Sequence, residues 1–215
     1  MISRVSRYRT LLERLDAWFR RGRDRSPGVI PCASGCSACC HGPFDVSVAD
    51  VALLGRGFAK LAPEPRAEVM RRARALLEKA QTREPGWRPP HAVEALGDER
   101  FDALCDALGD EPCPLLDDAG RCSIYEDRPL VCRLIGLPMK TPAGRTIENC
   151  CPLQPQFPDY AALPAVEFDL EAFEEEELAC LREAATALFG DEAYLHYHTF
   201  IAAALVALEE RSTCR

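Results

Sequence analysis

The sequence predicts a mainly α protein, in which a small loop-rich cysteine domain is flanked by amphipathic helices and followed by a C-terminal helical hairpin. Three observations carry this reading. Apolar residues recur every three or four positions near both ends of the 215-residue chain, as on one face of a helix. Nine of the seventeen prolines fall between residues 110 and 165, where periodicity is weak. The cysteines are bunched in two stretches, Cys32 to Cys40 and Cys113 to Cys151. The expected boundaries are an N-terminal helix over 1–28, a cysteine-cluster domain over 29–165 and a hairpin over 166–215 packed on it.

From Val5 the residues Tyr8, Leu11, Leu12, Leu15, Trp18 and Phe19 form one face of a helix expected to end at Gly22. Eight arginines fall within the first 25 residues, so this helix can dock on the domain or present a basic face to an anionic surface; Glu13 and Asp16 dilute that charge and favour docking. Ser47-Val-Ala-Asp50 reads as a capping box opening a helix that runs to Leu61. Pro63 and Pro65 start the next, with Val69, Ala73, Leu76, Leu77 and Ala80 inward, and it ends before Pro85. Asp98 is expected to cap a short helix carrying Phe101, Leu104, Cys105 and Leu108, where Cys105 reads as a small buried hydrophobe. Asp127 to Ile135 predicts a short capped helix, and Thr141-Pro-Ala-Gly144 a turn within a small hairpin. The segment 110–165 holds too little patterned apolar surface to order itself, so metal cross-links are expected to fix it. Leu170, Phe173, Leu178, Leu181, Ala185 and Leu188 mark one helix stopped by Gly190, and Asp191 is expected to open a second through Leu208. His196 and His198, two apart in that helix, would point to different faces and share no ligand.

Composition narrows the function. A net charge of −8 argues against nucleic-acid binding. The apolar stretch Ile201–Leu208 is too short to cross a bilayer, and the basic start lacks the unbroken apolar core of a signal peptide, so a cytoplasmic location is expected. Twelve cysteines in a reducing compartment imply metal or redox chemistry rather than a disulfide framework.

The candidate ligands are Cys32, Cys36, Cys39 and Cys40 in the first stretch, and Cys113, Cys122, Cys132, Cys150 and Cys151 in the second. Cys180 and Cys214 lie outside both stretches and are left out. Nine thiols exceed one tetrahedral centre; they can fill two four-thiolate sites, a bridged dinuclear centre, or one iron–sulfur cluster with spares. Adjacent Cys39 and Cys40, together with the Cys-Pro steps at 113 and 151, lean towards an iron–sulfur cluster, with zinc the alternative. Tyr125, Arg128 and Arg133 can tune thiolate charge; equally, Tyr125 can be core and the arginines can pair with Asp127 and Glu126.

Cys36-Ser-Ala-Cys-Cys-His-Gly with Ser47-Val-Ala-Asp50, then Cys113-Pro-Leu-Leu, Gly120-Arg-Cys-Ser-Ile-Tyr125 and Arg128-Pro-Leu-Val-Cys-Arg133, resemble the YkgJ-type CxxCxxCC cysteine-cluster family over about residues 32 to 152. The resemblance implies zinc or iron chelation, extending to iron–sulfur clusters, and its flagellin lysine methylase members show that an enzyme can carry such a domain. Three functions follow as expectations: a metal-binding protein, a metal- or cluster-dependent enzyme of the lysine methylase kind, and an interaction protein with structural zinc. No glycine-rich cofactor loop, nucleophile elbow or carboxylate pair supports the enzyme from the residues themselves. The partner called for is a metal ion or cluster; a protein partner is possible through the basic first helix or the acidic stretch 167–177.

Overall fold

The first helix, α1 (Ile2–Arg25), buries Tyr8, Leu11, Leu12, Leu15 and Trp18, the face expected from their spacing. A computed structural model describes residues 2–32 and 35–213 of the chain; Cys214 lies outside them. The helix does not stop at Gly22. A side chain there would put its Cβ 2.2 Å from Leu137 Cδ2, so this glycine serves a close crossing rather than a helix end.

The chain is mainly α, 57% helical with 8% in strands. After the first cysteine loop come β1 (Asp45–Ser47) and α2 (Val48–Phe58), opened by the expected capping box: Ser47 Oγ accepts from Asp50 N at 3.2 Å and Asp50 Oδ2 accepts from Ser47 N at 3.2 Å. Next is α3 (Pro63–Arg83), followed by α4 (Val93–Leu96) and α5 (Asp98–Ala107). Gly97, at φ 87°, takes the cap position expected of Asp98, which falls in the first turn instead.

The proline-rich segment forms α6 (Val131–Leu134), β2 (Met139–Lys140), β3 (Thr146–Ile147) and α7 (Pro158–Ala161). The short helix is shorter than expected and has no side-chain cap, because Asp127 sits in a 3-10 turn and faces Lys60 and Arg56 of the α2 end. The hairpin forms as expected: Thr141 N donates to Arg145 O at 2.9 Å and β2 pairs antiparallel with β3. β4 (Val166–Glu167) adds parallel to β2, giving the order β3-β2-β4. Leu115, Leu137, Met139 and Tyr160 are among the most deeply buried side chains of the chain. The segment therefore has apolar anchors of its own, too widely spaced to show as periodicity.

α8 (Leu170–Phe189) ends at left-handed Gly190. The second arm of the hairpin departs from expectation. Asp191 caps only a 3-10 turn, Glu192–His196; β5 (His198–Phe200) then pairs antiparallel with β1, and α9 (Ile201–Thr213) begins only at Ile201. Long-range bonds outweigh helix propensity here: Tyr197 OH donates to Pro90 O at 2.7 Å, Thr199 Oγ1 to His91 O at 2.9 Å, and the Phe200 ring stacks on Trp87 at 5.4 Å. His196 and His198 thus do not share a helix, and His198 Nδ1 faces the Asp45 carboxylate at 3.0 Å. One apolar core runs from Tyr8 through α2, α3 and α8 to Leu205, with α2 against α1, α8 and α9.

Between α1, α2 and α8 lies a polar knot. Tyr8 OH, at 3.0 Å from Asp50 Oδ1, is also 3.4 Å from Glu177 Oε1. Burial, then the Asp50 charge, raises Glu177 to about 7, with Tyr8 bonding lowering it, Glu174 raising it and His198 lowering it. The folded state therefore holds this proton more tightly than the unfolded chain. Its stabilising effect is complete below about pH 4.5 and is lost as pH rises through about 7. Glu177→Gln keeps an acceptor for Tyr8 without the charge. It is expected to flatten the fall in stability between pH 5 and 8 and to gain on the order of 1–2 kcal/mol at pH 8, as urea denaturation at several pH values measures.

Candidate metal centre

Local hydrogen bonding brings the two cysteine stretches together. Cys40 N donates to Ser37 O at 2.9 Å, turning the chain at Ala38-Cys39. Cys113 N donates to Cys40 O at 2.9 Å and Gly42 N to Glu111 O at 2.6 Å, so His41 and Pro112 bridge the stretches as short antiparallel partners. The second stretch then doubles back, with Leu116 bridging Cys122 and Ser123 N donating to Leu115 O at 2.8 Å. Asp117 holds that reversal by accepting from Ala119 N at 2.9 Å and Arg121 N at 2.8 Å. Leu130 N donates to buried Asp50 Oδ1 at 2.9 Å, fixing the turn just ahead of Cys132 on α6.

Cys32, Cys36, Cys39, Cys40, Cys113, Cys122 and Cys132 line a single cavity of about 270 Å³. Cys151 is buried and acts on Cys32, but it is not part of that lining. Cys150 is exposed at φ 34°, with its thiol 3.6 Å from Glu148 O, and the structure does not bring it to the cavity. Cys105, whose thiol faces Pro43 O at 3.6 Å, and Cys180, in the α8 core, both lie away from it.

Burial governs the thiols. It pushes Cys113 up to about 12, raises Cys122, and raises Cys132 well above the usual thiol value, with Cys113 and Cys122 adding to the shift at Cys132. A hydrogen bond with Cys40, then burial, raises Cys39. Cys32 rises to about 11 through burial, then through Cys36, Cys39 and Cys151, while Arg128 lowers it. Burial, after the Cys40 bond in the case of Cys39, therefore favours the protonated forms of Cys32, Cys39, Cys113, Cys122 and Cys132, so ligation by them must displace protons.

One wall of the cavity is cationic. Arg128 Nη2 donates to Asp16 Oδ1 at 2.9 Å, and Arg133, buried, donates through Nη1 to Asp16 Oδ2 and through Nη2 to Glu126 O at 3.0 Å. The expected side-chain partners Asp127 and Glu126 are thus replaced by Asp16 of α1. Tyr125 is not core: it is 36% exposed and lies beneath the Arg128 guanidinium at 4.2 Å. Asp16, Phe19, Arg20 and Arg23 of α1 also border the cavity and escaped sequence reasoning as site residues. The only hint was an acid placed between core positions Leu15 and Trp18.

Among the described residues, no three cysteine, histidine or carboxylate side chains converge closely enough to hold a metal ion as they stand. The thiols surround a space, and binding requires them to turn into it. The donor set itself suits zinc or iron: thiols from three chain segments, with cations nearby to offset thiolate charge.

A mainly α chain with thiols from distant segments around one cavity defines a cysteine-rich metal-chelating class. Residues 31–181 match the CxxCxxCC family, described as "Putative zinc- or iron-chelating domain", and the chain belongs to that family. No curated protein and no solved structure matches the chain. No helix among the described residues is long and apolar enough to cross a membrane.

Asp16→Ala leaves the buried Arg133 guanidinium without its carboxylate. It is expected to cost about 2–4 kcal/mol in denaturant unfolding, against well under 1 kcal/mol for Glu13→Ala on the exposed side of the same helix.

Proposed function

We propose that this chain is a metal-binding protein in which Cys39, Cys113, Cys122 and Cys132 hold an iron–sulfur cluster, with zinc as the second reading. The observation that carries the proposal is the cavity itself. Seven thiols border one space of about 270 Å³, more donors than a single tetrahedral zinc ion takes, which supports a polynuclear centre with inorganic sulfide. The arginine wall supports the same reading, because guanidinium groups offset the negative charge of a four-thiolate cluster. Zinc is favoured by one feature: the tight turn at Cys39-Cys40, bonded directly to Cys113, resembles the closed knuckle of a structural site.

Protein isolated without oxygen is expected to be brown and to contain iron and acid-labile sulfide. Cys122→Ser and Cys132→Ser are expected to lose most of both while retaining native helicity by circular dichroism, because the segment has apolar anchors. Cys180→Ser should keep both at the wild-type level. Colourless protein with one zinc and no sulfide would select the second reading; protein with neither metal would overturn both.

A further inference from the structure

We infer that Arg20 and Arg23 form an anion-recognising rim on the thiol cavity, and that metal reaches the cysteines there as an anionic polycarboxylate chelate rather than as a hydrated cation. The inference rests on the reading of the chain as a thiolate metal binder and adds the form in which its metal arrives.

The arginines of α1 change character along the helix. Arg7, Arg9 and Arg14 pair with Glu183, Glu13 and Glu176. Arg20 and Arg23 are exposed, and neither side chain has an ion-pair or hydrogen-bond partner among the described residues. Asp16, Phe19, Arg20 and Arg23 are spaced by three and four residues, which puts them on one helix face, and that face borders the cavity. A helix C-terminus favours cations in its last turn, which accounts for Arg23 and Arg25. It does not account for Arg20, and Arg25 does not border the cavity.

The charge around the space is opposite to that of the chain. The protein carries −8 overall, yet four arginines and two carboxylates border the cavity. Asp16 is committed to Arg128 and Arg133, which leaves Glu126 against Arg20 and Arg23. A cleft with an excess of one sign of charge concentrates ions of the other sign. A hydrated dication is therefore disfavoured at this rim, whereas a metal complex of net negative charge is attracted, and guanidinium forks match the geometry of its carboxylates. A space of about 270 Å³ suits a small molecule rather than a folded acidic domain. The transfer balances without redox chemistry. Metal–oxygen bonds to the chelator break and metal–sulfur bonds form; each ligating thiol gives its proton to the freed carboxylates or to solvent, and the metal keeps its oxidation state.

The test supplies Cd2+ without oxygen to the metal-stripped full chain, either as the hydrated ion or as its citrate complex, and follows thiolate-to-cadmium absorbance by stopped flow. Calorimetry measures the binding of citrate alone. Citrate is expected to bind the metal-free chain. The double variant Arg20→Gln/Arg23→Gln should weaken that binding, slow loading from the citrate complex by about 10-fold and quicken loading from the hydrated ion. Both effects should shrink at about 0.5 M salt, where exposed charges are screened. Arg9→Gln, on the same helix but away from the cavity, should change neither supply. Circular dichroism checks that the variants fold. Equal slowing from both supplies, or no change in either, would overturn the inference. So would tighter binding of a poly-glutamate peptide than of citrate, which would assign the arginines to an acidic protein surface. Cadmium uptake with no citrate binding would overturn the inference and leave the metal-binding reading standing; citrate binding without cadmium uptake from either supply would overturn that reading, and the delivery step with it.

Discussion

Asp50 is the constraint on which the arrangement depends. A carboxylate fully removed from water is tolerated only when its lone pairs are occupied, and here four donors converge on it: Ser47 N and Oγ, Tyr8 OH and Leu130 N. Each comes from a part of the chain that must be positioned for the cysteines to meet. Ser47 starts α2 after the first cysteine loop, Tyr8 lies on α1, and Leu130 immediately precedes the helix carrying Cys132. Burial raises the Asp50 carboxyl above its ordinary range, while bonds from Leu130, Tyr8 and Ser47 oppose that rise. The same residue that caps a helix thereby fixes the second cysteine segment relative to the first.

Asp16 plays the corresponding part on the other side of the cavity. Its two oxygens take Arg128 and Arg133, and the planar guanidinium groups reach backbone carbonyls as well. A lysine in place of Arg133 would supply the charge but not the simultaneous bonds to Arg128 O, Glu126 O and Asp16. The cationic wall is therefore set by geometry before any ligand arrives. Such pre-set charge matters at a thiol site because the buried thiols favour their protonated forms. Ligand charge created on metal binding then meets cations already in place.

The sequence displayed elements whose determinants are local. The Ser47–Asp50 cap, the proline start of α3, the Gly190 stop and the buried face of α1 each depend on residues a few positions apart, and each formed. Departures arose where distant contacts decide. Gly22 looks like a helix end until Leu137 is known to cross there, and residues 197–200 look helical until Pro90, His91, Trp87 and β1 claim them. At the site, the cysteine spacing announced a thiol array and the family pattern its two halves. Asp16 carries no local signature, since its pairing with Arg128 and Arg133 exists only after the chain closes on itself.

The cavity's position also bears on how a loaded centre would act on the fold. Cys39 and Cys113 are already held by the backbone bond between Cys40 and Cys113, and Cys122 by its hairpin, so a ligand joining them adds little order. Cys132 and Cys32 differ, because each is tied to the rest through a helix or loop rather than through that ladder. Ligation there would link α6 and the loop after α1 to the ladder, so that chelation energy would join parts rather than build them. On the proposed reading, a thiol centre here would act as a clasp between segments that also carry apolar anchors, in contrast to small zinc modules whose core is the metal.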